Sequence, residues 1–248
     1  MSASAPVRVV PAAQAISLVY GVVLRQLVSR GRLIALTLLA LISTVAGAAL
    51  GSAEEAGLGD AVDLIAGLGL GVVLPVVALV FGGAAIGDLR EDKTLVFLWL
   101  RPMDRWPVVV GAAAAAFTLS APVTLLPVGL GAALTGFGGD LVVATVLAGL
   151  VGLVGYTALF TLFGIWLRRF IVWGLAYILI WEGFVSSAGA GVARFTILRY
   201  TRSILSERTG ADVDLAGATQ LTAIVVPLLA AAAFVAIGAW RLGRQDID

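Results

Sequence analysis

Six stretches of predominantly apolar residues divide this chain, and each is about as long as a helix that crosses a bilayer. A spanning helix needs about 20 mostly apolar residues, and it satisfies its own backbone hydrogen bonds in lipid. The stretches lie at roughly 33–51, 62–87, 107–135, 141–167, 170–188 and 219–240. They occupy most of the 248 residues. The sequence therefore predicts a single all-α membrane domain over residues 1–248, with six transmembrane helices and no separate soluble domain.

Positive residues are distributed unevenly around these stretches. Twelve of the 16 lysines and arginines flank one side of the predicted spans, and the other four are Arg194, Arg199, Arg202 and Arg208. Lysine and arginine are retained preferentially on the cytoplasmic side of a membrane. We therefore expect both termini and the segment 88–106 in the cytoplasm. The abundance of alanine, valine, glycine and arginine, with one lysine, favours a bacterial plasma membrane as the location.

The residues before the first span, 12–32, have the pattern of a helix that lies along a membrane surface. Apolar side chains recur at helical spacing, and three arginines crowd the end of the segment. The apolar set is Ile16, Val19, Tyr20, Val23 and Leu27, and the arginines are Arg25, Arg30 and Arg32. We expect an interfacial helix over 12–32. The alternative is that these residues are the frayed start of the first span.

The connection between the last two spans, 189–218, is too long for a simple turn and predicts a short helical outer segment. Apolar side chains share one helical face there, and arginines lie opposite. The first set is Ile197, Tyr200 and Ile204, and the second is Arg199 and Arg202. The helix would be interfacial or re-entrant. Its arginines either bind lipid phosphates or form its solvated face.

Small residues at four-residue spacing predict close contacts between spans. The pairs Gly47/Gly51, Gly67/Gly71 and Gly83/Gly87 have the small-xxx-small pattern that lets helix backbones approach. We expect a compact bundle.

The absence of histidine and cysteine excludes several kinds of chemistry. It removes Ser-His-Asp and Cys-His catalytic arrangements, and disulfides, and it leaves carboxylates as the only ligands for a transition metal. The only lysine, Lys93, follows Asp92 where a phosphate-binding G-x-x-x-x-G-K-[ST] loop requires glycine. We therefore expect no enzymatic activity, no metal site, no cofactor in this chain and no nucleic-acid partner.

One ionisable residue, Glu182, lies well inside a predicted span. A charge at the centre of a bilayer costs at least about 2.5–3.5 kcal/mol, so such residues usually mark transport pathways. Its place in the outer half of the fifth stretch predicts partial hydration. Two roles remain open: a role in transport or gating, and a structural role in holding the outer segment, for example by pairing with Arg194 or Arg199.

The fifth stretch also carries aromatic residues on one helical face. At about 100° per residue they fall within a narrow stripe that runs the full depth of the span. The stripe consists of Phe170, Trp173, Tyr177, Trp181 and Phe184. Lipid-facing aromatics concentrate instead in belts at the two interfaces. The stripe therefore predicts a dimer seam or the wall of a substrate path, and ordinary packing within one subunit is the alternative.

The segment 88–106 carries eight charged residues between two apolar stretches. Its charges must therefore lie in water on one side of the membrane. Their mixed signs suit a polar and specific protein interface, and a solvated loop without a partner is the alternative.

The sequence from Ala84 to Trp106 resembles the membrane subunits of ABC-2 type transporters. The usual pattern of that family reads roughly E-x-x-x-G-T-L-x-x-L-L-x-x-P-x-x-R. The matching residues are Thr94, Leu95, Leu98, Pro102 and Arg105, whereas the acidic residue is displaced to Glu91 and Lys93 replaces the usual glycine. The likeness extends to the layout of the whole chain: an interfacial helix, six spans, a charged loop after the second span and a longer outer segment.

This resemblance implies a coupling helix after the second span that docks on a separate cytoplasmic ATPase. The residues at that interface would be Arg90, Glu91, Asp92, Lys93, Thr94, Leu95, Arg101, Pro102 and Arg105. Two ATPases, which bind ATP and Mg²⁺, would serve two membrane subunits. The second membrane subunit would be either a copy of this chain or a relative. The first, second and fifth spans would line the substrate path and the dimer seam.

The function implied is ATP-driven export of a hydrophobic or amphipathic small molecule or lipid. The lack of an intramembrane charge cluster argues against a bare ion as cargo. Membrane lipids are expected partners. The alternatives are a secondary transporter or channel, and a membrane scaffold that does not export, each without an ATPase partner.

Overall fold

The structure, a computed structural model, describes residues 11–91, 104–184 and 190–244. These residues form helices and contain no β-strand, which confirms the predicted all-α class for this part of the chain. The helices are α1 (Ala12–Leu27), α2 (Arg30–Gly51), α3 (Leu58–Glu91), α4 (Trp106–Leu134), α5 (Gly139–Trp166), α6 (Phe170–Phe184), α7 (Ala190–Ala193), α8 (Ile197–Thr209) and α9 (Gln220–Gly243).

Five of these helices, α2, α3, α4, α5 and α9, are long and apolar enough to cross a membrane. They correspond to five of the six predicted stretches. The helix over the predicted fifth stretch, α6, is shorter, with seven α-helical residues followed by eight π-helical ones. At about 1.5 Å per residue it rises about 22 Å, which is less than the ~30 Å hydrocarbon core. Residues 185–188 of that stretch lie outside the described residues.

The segment 12–32 is divided between two helices, so the prediction of one continuous helix over these residues is wrong, and the interfacial position of its first part stays a prediction. Helix α1 ends at Leu27, and its buried face packs on α4. The backbone is extended at Ser29, whose side chain accepts a hydrogen bond from the N–H of Arg32 and so caps α2. Arg30 and Arg32 therefore belong to the first long helix.

The bundle is built around α5. In the most apolar 18 residues of each helix, the buried fraction is 67% for α5 and 61% for α3. It is 22% for α2 and for α9. Two contacts between glycines explain how closely the helices approach. A Cβ on Gly164 would overlap the backbone oxygen of Gly83, and a Cβ on Gly47 would overlap that of Gly131. The predicted close contacts at Gly47 and Gly83 are thus confirmed, whereas a Cβ on Gly67 would meet open space, so the prediction is wrong there.

Two of the helices contain π-helical stretches, Ile65–Val73 in α3 and Tyr177–Phe184 in α6. These two stretches contact each other, and α8 packs on the first of them as well as on α5 and α9. Stretches with i→i+5 hydrogen bonds are rare and often lie at functional sites. The irregular parts of the two helices therefore meet in one region, next to the outer segment.

The outer segment 189–218 contains the predicted short helix, α8. Its predicted apolar face is buried in the bundle, with Ile197, Tyr200 and Ile204 all less than 9% exposed. Arg202 lies on the other side and donates a hydrogen bond to the backbone oxygen of Asp214. The apolar face of α8 therefore packs against the spanning helices.

Candidate functional site

One end of the bundle collects the ends of helices that the sequence places on the cytoplasmic side. An ion pair joins the start of α2 to the end of α3, with 2.8 Å between Arg32 Nη2 and Asp88 Oδ2. Arg90 Nη1 donates to the backbone oxygen of Ile165 at the end of α5, over 2.9 Å. These contacts tie the start of α2 and the ends of α3 and α5 together, at the point where the charged segment 88–106 begins.

A fourth helix end is held in the same way. Arg105, at the start of α4, donates from Nη1 to the backbone oxygen of Leu242 in α9, over 2.7 Å. The last carbonyls of a helix have no partner within the helix, and arginine near a helix C-terminus is favourable for its dipole. Arg90 and Arg105 thus each satisfy a carbonyl near the C-terminal end of another helix.

Three of the nine residues that the sequence assigns to a coupling interface lie in the described part of the chain. Arg90 and Arg105 are half-buried and serve the contacts above, whereas Glu91 is exposed at the end of α3. The others, Asp92, Lys93, Thr94, Leu95, Arg101 and Pro102, lie outside the described residues. The prediction of a coupling helix falls on those residues and stays a prediction.

A polar cavity of about 990 Å³ opens beside this point, between the ends of α3 and α5 and the start of α6. Its lining includes the charged residues Arg90, Glu91, Arg168 and Arg169. Arg168 and Arg169 are exposed. The end of the bundle therefore presents both signs of charge on a concave surface, which is a suitable feature for recognising another protein.

Glu182 occupies the opposite end of the bundle, in the π-helical stretch of α6. Its carboxylate accepts hydrogen bonds from the hydroxyl of Tyr177 at 2.7 Å, the N–H of Ile197 at 3.1 Å and the N–H of Leu198 at 3.0 Å. The two N–H groups belong to the first turn of α8, which has no intrahelical acceptors for them. A carboxylate there also interacts favourably with the helix dipole. Glu182 therefore caps α8 from a different helix.

The expectation that Glu182 is partly hydrated is wrong, because α8 covers it. Its exposed fraction is 2%. The carboxylate contacts the outer segment through the backbone N–H groups of Ile197 and Leu198, and a role of Glu182 in transport or gating stays a prediction. The sequence did not identify Tyr177 as a partner, since residues five apart are not neighbours on an α-helix.

A second tyrosine lies close to this carboxylate. Tyr156 of α5 is completely buried, stacks on Phe160 and interacts electrostatically with Glu182. The carboxylate and two tyrosines thus form a polar cluster, Tyr156–Tyr177–Glu182, between α5, α6 and α8.

The aromatic stripe of α6 is not buried as a unit within one chain. Phe170 is buried against α3 and Tyr177 is half-buried, whereas Trp173 is 58% exposed and Phe184 is 75% exposed. A π-helical stretch turns less per residue than an α-helix, so its side chains rotate progressively away from the predicted face. Packing inside one subunit does not account for the exposed members, and the roles of dimer seam and path wall stay predictions.

An apolar groove of about 380 Å³ runs beside the stripe, between α5 and α6. Its lining includes Phe163, Trp173, Tyr177 and Trp181. The indole of Trp181 also donates to the backbone oxygen of Phe195, at 3.4 Å. The groove therefore leads from the outer segment along the exposed side of α6.

No group of three or more acidic side chains that could hold a metal ion occurs in ranges 11–91, 104–184 and 190–244. No protein-family model, curated protein or solved structure matches this chain.

Proposed function

We propose that this chain is the transmembrane subunit of an ATP-driven ABC exporter. Two such subunits, identical or related, would pair with two cytoplasmic ATPases that bind ATP and Mg²⁺. ATP-dependent closure of the ATPases would push on the segment between α3 and α4, and the bundles would reorient around a central path. This chain would supply the path and not the chemistry.

The observation that carries the proposal is the anchoring of segment 88–106 at the charged end of the bundle. Its two flanks are held by Arg32–Asp88, Arg90–Ile165 and Arg105–Leu242, so a push on the segment is transmitted directly to α2, α5 and α9. A rigid attachment is what a coupling element needs, because a flexible loop would absorb the movement. The adjacent polar cavity, with exposed Glu91, supports a protein partner there.

The proposal includes a sixth span over 170–188. Helix α6 alone is too short by about 8 Å for a ~30 Å core, and the predicted span needs the residues that follow Phe184. The apolar groove along α6 and its exposed aromatic residues support a path or dimer seam for hydrophobic or amphipathic cargo, such as a drug, an antibiotic or a lipid.

The decisive experiment is gentle purification of the tagged chain from its native membrane, followed by identification of the proteins that accompany it. We expect a stoichiometric ABC ATPase. A chain that purifies reproducibly without a nucleotide-binding subunit would overturn the proposal and favour a self-contained transporter, channel or scaffold.

Charge reversal tests the coupling surface itself. Glu91→Lys or Arg101→Glu should lower the ATPase stimulation by cargo, or the yield of co-purified ATPase, at least severalfold, because like charges across an interface are repulsive. Glu55→Lys is the matched control, since Glu55 is also exposed but lies at the opposite end of the bundle. Unchanged ATPase retention and coupling in both Glu91 and Arg101 variants would refute the assignment of this surface.

A further inference from the structure

The polar cavity at the charged end of the bundle has an unbalanced lining. Among the described residues, three arginines line it, Arg90, Arg168 and Arg169, and one acidic residue, Glu91. A concave surface with an excess of one sign of charge attracts ions of the opposite sign. This arginine cavity therefore suits a negatively charged ligand.

The three arginines meet at the connection between α5 and α6. Arg168 and Arg169 form most of that connection, because α5 ends and α6 begins on either side of it. Arg90 reaches the same place from α3, since its Nη1 donates to the backbone oxygen of Ile165 over 2.9 Å. A guanidinium group has five N–H donors, and this bond uses one of those of Arg90. The connection thus collects donors from two parts of the chain.

The positive charge at the connection is not neutralised within the described part of the chain. The side chains of Arg168 and Arg169 are exposed and form no ion pair or hydrogen bond with another described residue. Glu91 lines the same cavity, but it forms no ion pair with either of them. Like charges that share one cavity repel each other, and an anion between them removes that repulsion.

The first turn of α6 adds backbone donors on the same side. Phe170, the first residue of α6, lines the cavity, no side chain caps this helix, and its first turn has no acidic residue. The first N–H groups of a helix have no acceptor within the helix, and the helix dipole favours an anion there. A phosphate offers more acceptor oxygens than a carboxylate does, so it can accept from guanidinium and backbone groups together.

The helix ends around the arginine cavity are fixed by close packing. The ring of Phe170 lies against α3 at Gly83 and Gly87, where a Cβ would overlap it. Gly164 of α5 lies against the backbone of Gly83. The backbone around the cavity is therefore ordered before a ligand binds, which favours binding.

The cavity lies at a level where lipid headgroups are expected. Trp166, the last residue of α5, is 55% exposed, and tryptophan concentrates at the membrane–water interface. This end of the bundle is predicted to face the cytoplasm, where the membrane surface is anionic and soluble phosphate compounds are present. Both sources present the same chemical group to the arginines.

We propose that the arginine cavity binds the phosphate group of an anionic ligand, which is either a lipid headgroup or a soluble phosphate compound. Arg168 and Arg169 supply the main charged contacts, and Arg90 and the start of α6 supply further donors. This ligand is separate from the proposed coupling, which uses the segment 88–106 on the α3 side of the cavity. The site needs neither an ATPase nor cargo, so it stands or falls independently of ATP-driven transport.

The first test uses the unmodified chain. Purified protein in neutral detergent is treated with phenylglyoxal, which modifies accessible arginine side chains, and each modified arginine is counted by peptide mass spectrometry. We expect phosphatidic acid, or inorganic phosphate, to slow the modification of Arg168 and Arg169 severalfold. Diacylglycerol, which lacks only the phosphate, should not. Arg25 and Arg30 are exposed arginines of α1 and α2 outside the cavity, and their modification should change little.

The order of the two phosphate probes identifies the source of the ligand. Protection at lower concentrations of phosphatidic acid supports the proposal with a lipid headgroup, and protection at lower concentrations of inorganic phosphate supports it with a soluble compound. Equal rates with and without both probes overturn the proposal. Protection by a glutamate-rich peptide, without protection by either phosphate probe, would assign the cavity to an acidic protein segment and also overturn it.

The second test changes the charge of the cavity in both directions, with bound phosphatidic acid counted by native mass spectrometry. Each arginine near a membrane surface contributes about fivefold to the binding of an anionic lipid, so Arg168→Gln combined with Arg169→Gln should weaken it about 25-fold. The control, Arg25→Gln combined with Arg30→Gln, removes the same charge outside the cavity and should have little effect.

Glu91→Gln removes the negative charge of the lining and should tighten binding severalfold, because the carboxylate repels a phosphate. A misfolded variant cannot bind more tightly, so this gain is independent of folding defects. Equal loss in the two double variants, or weaker binding by Glu91→Gln, would refute the phosphate site.

Discussion

Removal of the Glu182 carboxylate should release the N-terminus of α8 from α6. The carboxylate accepts hydrogen bonds from Tyr177, Ile197 and Leu198, and is 2% exposed. A typical hydrogen bond contributes about 1 kcal/mol net, and those to charged groups contribute more, although pairs within membranes average about 0.6 kcal/mol. Glu182→Ala therefore costs about 3 kcal/mol of local stability, a shift of about a hundredfold in the opening equilibrium.

Hydrogen exchange of the Ile197 and Leu198 amides measures this equilibrium directly, because their protons are the ones held by the carboxylate. We expect about hundredfold faster exchange in Glu182→Ala and about tenfold in Glu182→Gln, whose amide retains one acceptor oxygen. Tyr177→Phe removes one hydrogen bond and should give about fivefold.

The matched control is Glu207→Ala, which removes an exposed carboxylate from α8 itself. It should leave exchange at Ile197 and Leu198 unchanged. If Glu182→Ala exchanged no faster than this control, the buried apolar face of α8 would suffice to hold it and the anchoring role of the carboxylate would be refuted.

Three further substitutions test the packing, the charged end and the aromatic stripe. Gly47→Val should lower the free energy of unfolding by at least about 2 kcal/mol, because the added Cβ would overlap the backbone of α4. Gly21→Val, where a Cβ would meet no other atom, should have little effect. A double-mutant cycle on Arg32→Gln and Asp88→Asn should give a coupling of about 0.5–1 kcal/mol that falls with added salt, because both side chains are about one-quarter exposed; zero coupling would show that the pair contributes no stability. Trp173→Ala should lower the dimer fraction or cargo transport without affecting monomer stability, since its ring is exposed; unchanged dimerisation and transport would leave the ring facing lipid.

The sequence predicts the long helices well because their length and apolarity are required by the bilayer itself. Five predicted stretches coincide with helices that can cross a membrane. The break between α1 and α2 was not predicted, since it depends on one serine, Ser29, inside an otherwise continuous helical pattern. The amphipathic face of α8 was predicted because Ile197, Tyr200 and Ile204 follow the ordinary helical spacing and the helix keeps it.

The site was harder to predict because its key contacts cross between helices. Glu182 is visible in the sequence as an isolated charge, but backbone N–H groups leave no trace in composition, so its contacts with Ile197 and Leu198 could not be predicted. The contacts of Arg90 and Arg105 also end on backbone oxygens, of Ile165 and Leu242. Pairing of charges can be inferred from a sequence, whereas satisfaction of helix ends by distant side chains depends on how the helices are packed.

The spacing of Tyr177 and Glu182 connects the π-helical stretch of α6 with the anchoring of α8. In an α-helix at 100° per residue, two side chains five positions apart point about 140° away from each other. In a helix with i→i+5 hydrogen bonds each residue turns less about the axis, so the same two positions lie closer together on the helix surface. The hydrogen bond between Tyr177 and Glu182 therefore exists because the stretch Tyr177–Phe184 is π-helical. A return of this stretch to α-helix would separate the pair, turn the carboxylate away from Ile197 and swing Phe184 toward the face of Trp173. The polar cluster and the rotated aromatic stripe are thus two consequences of one change in helix geometry, and a movement that alters one must alter the other.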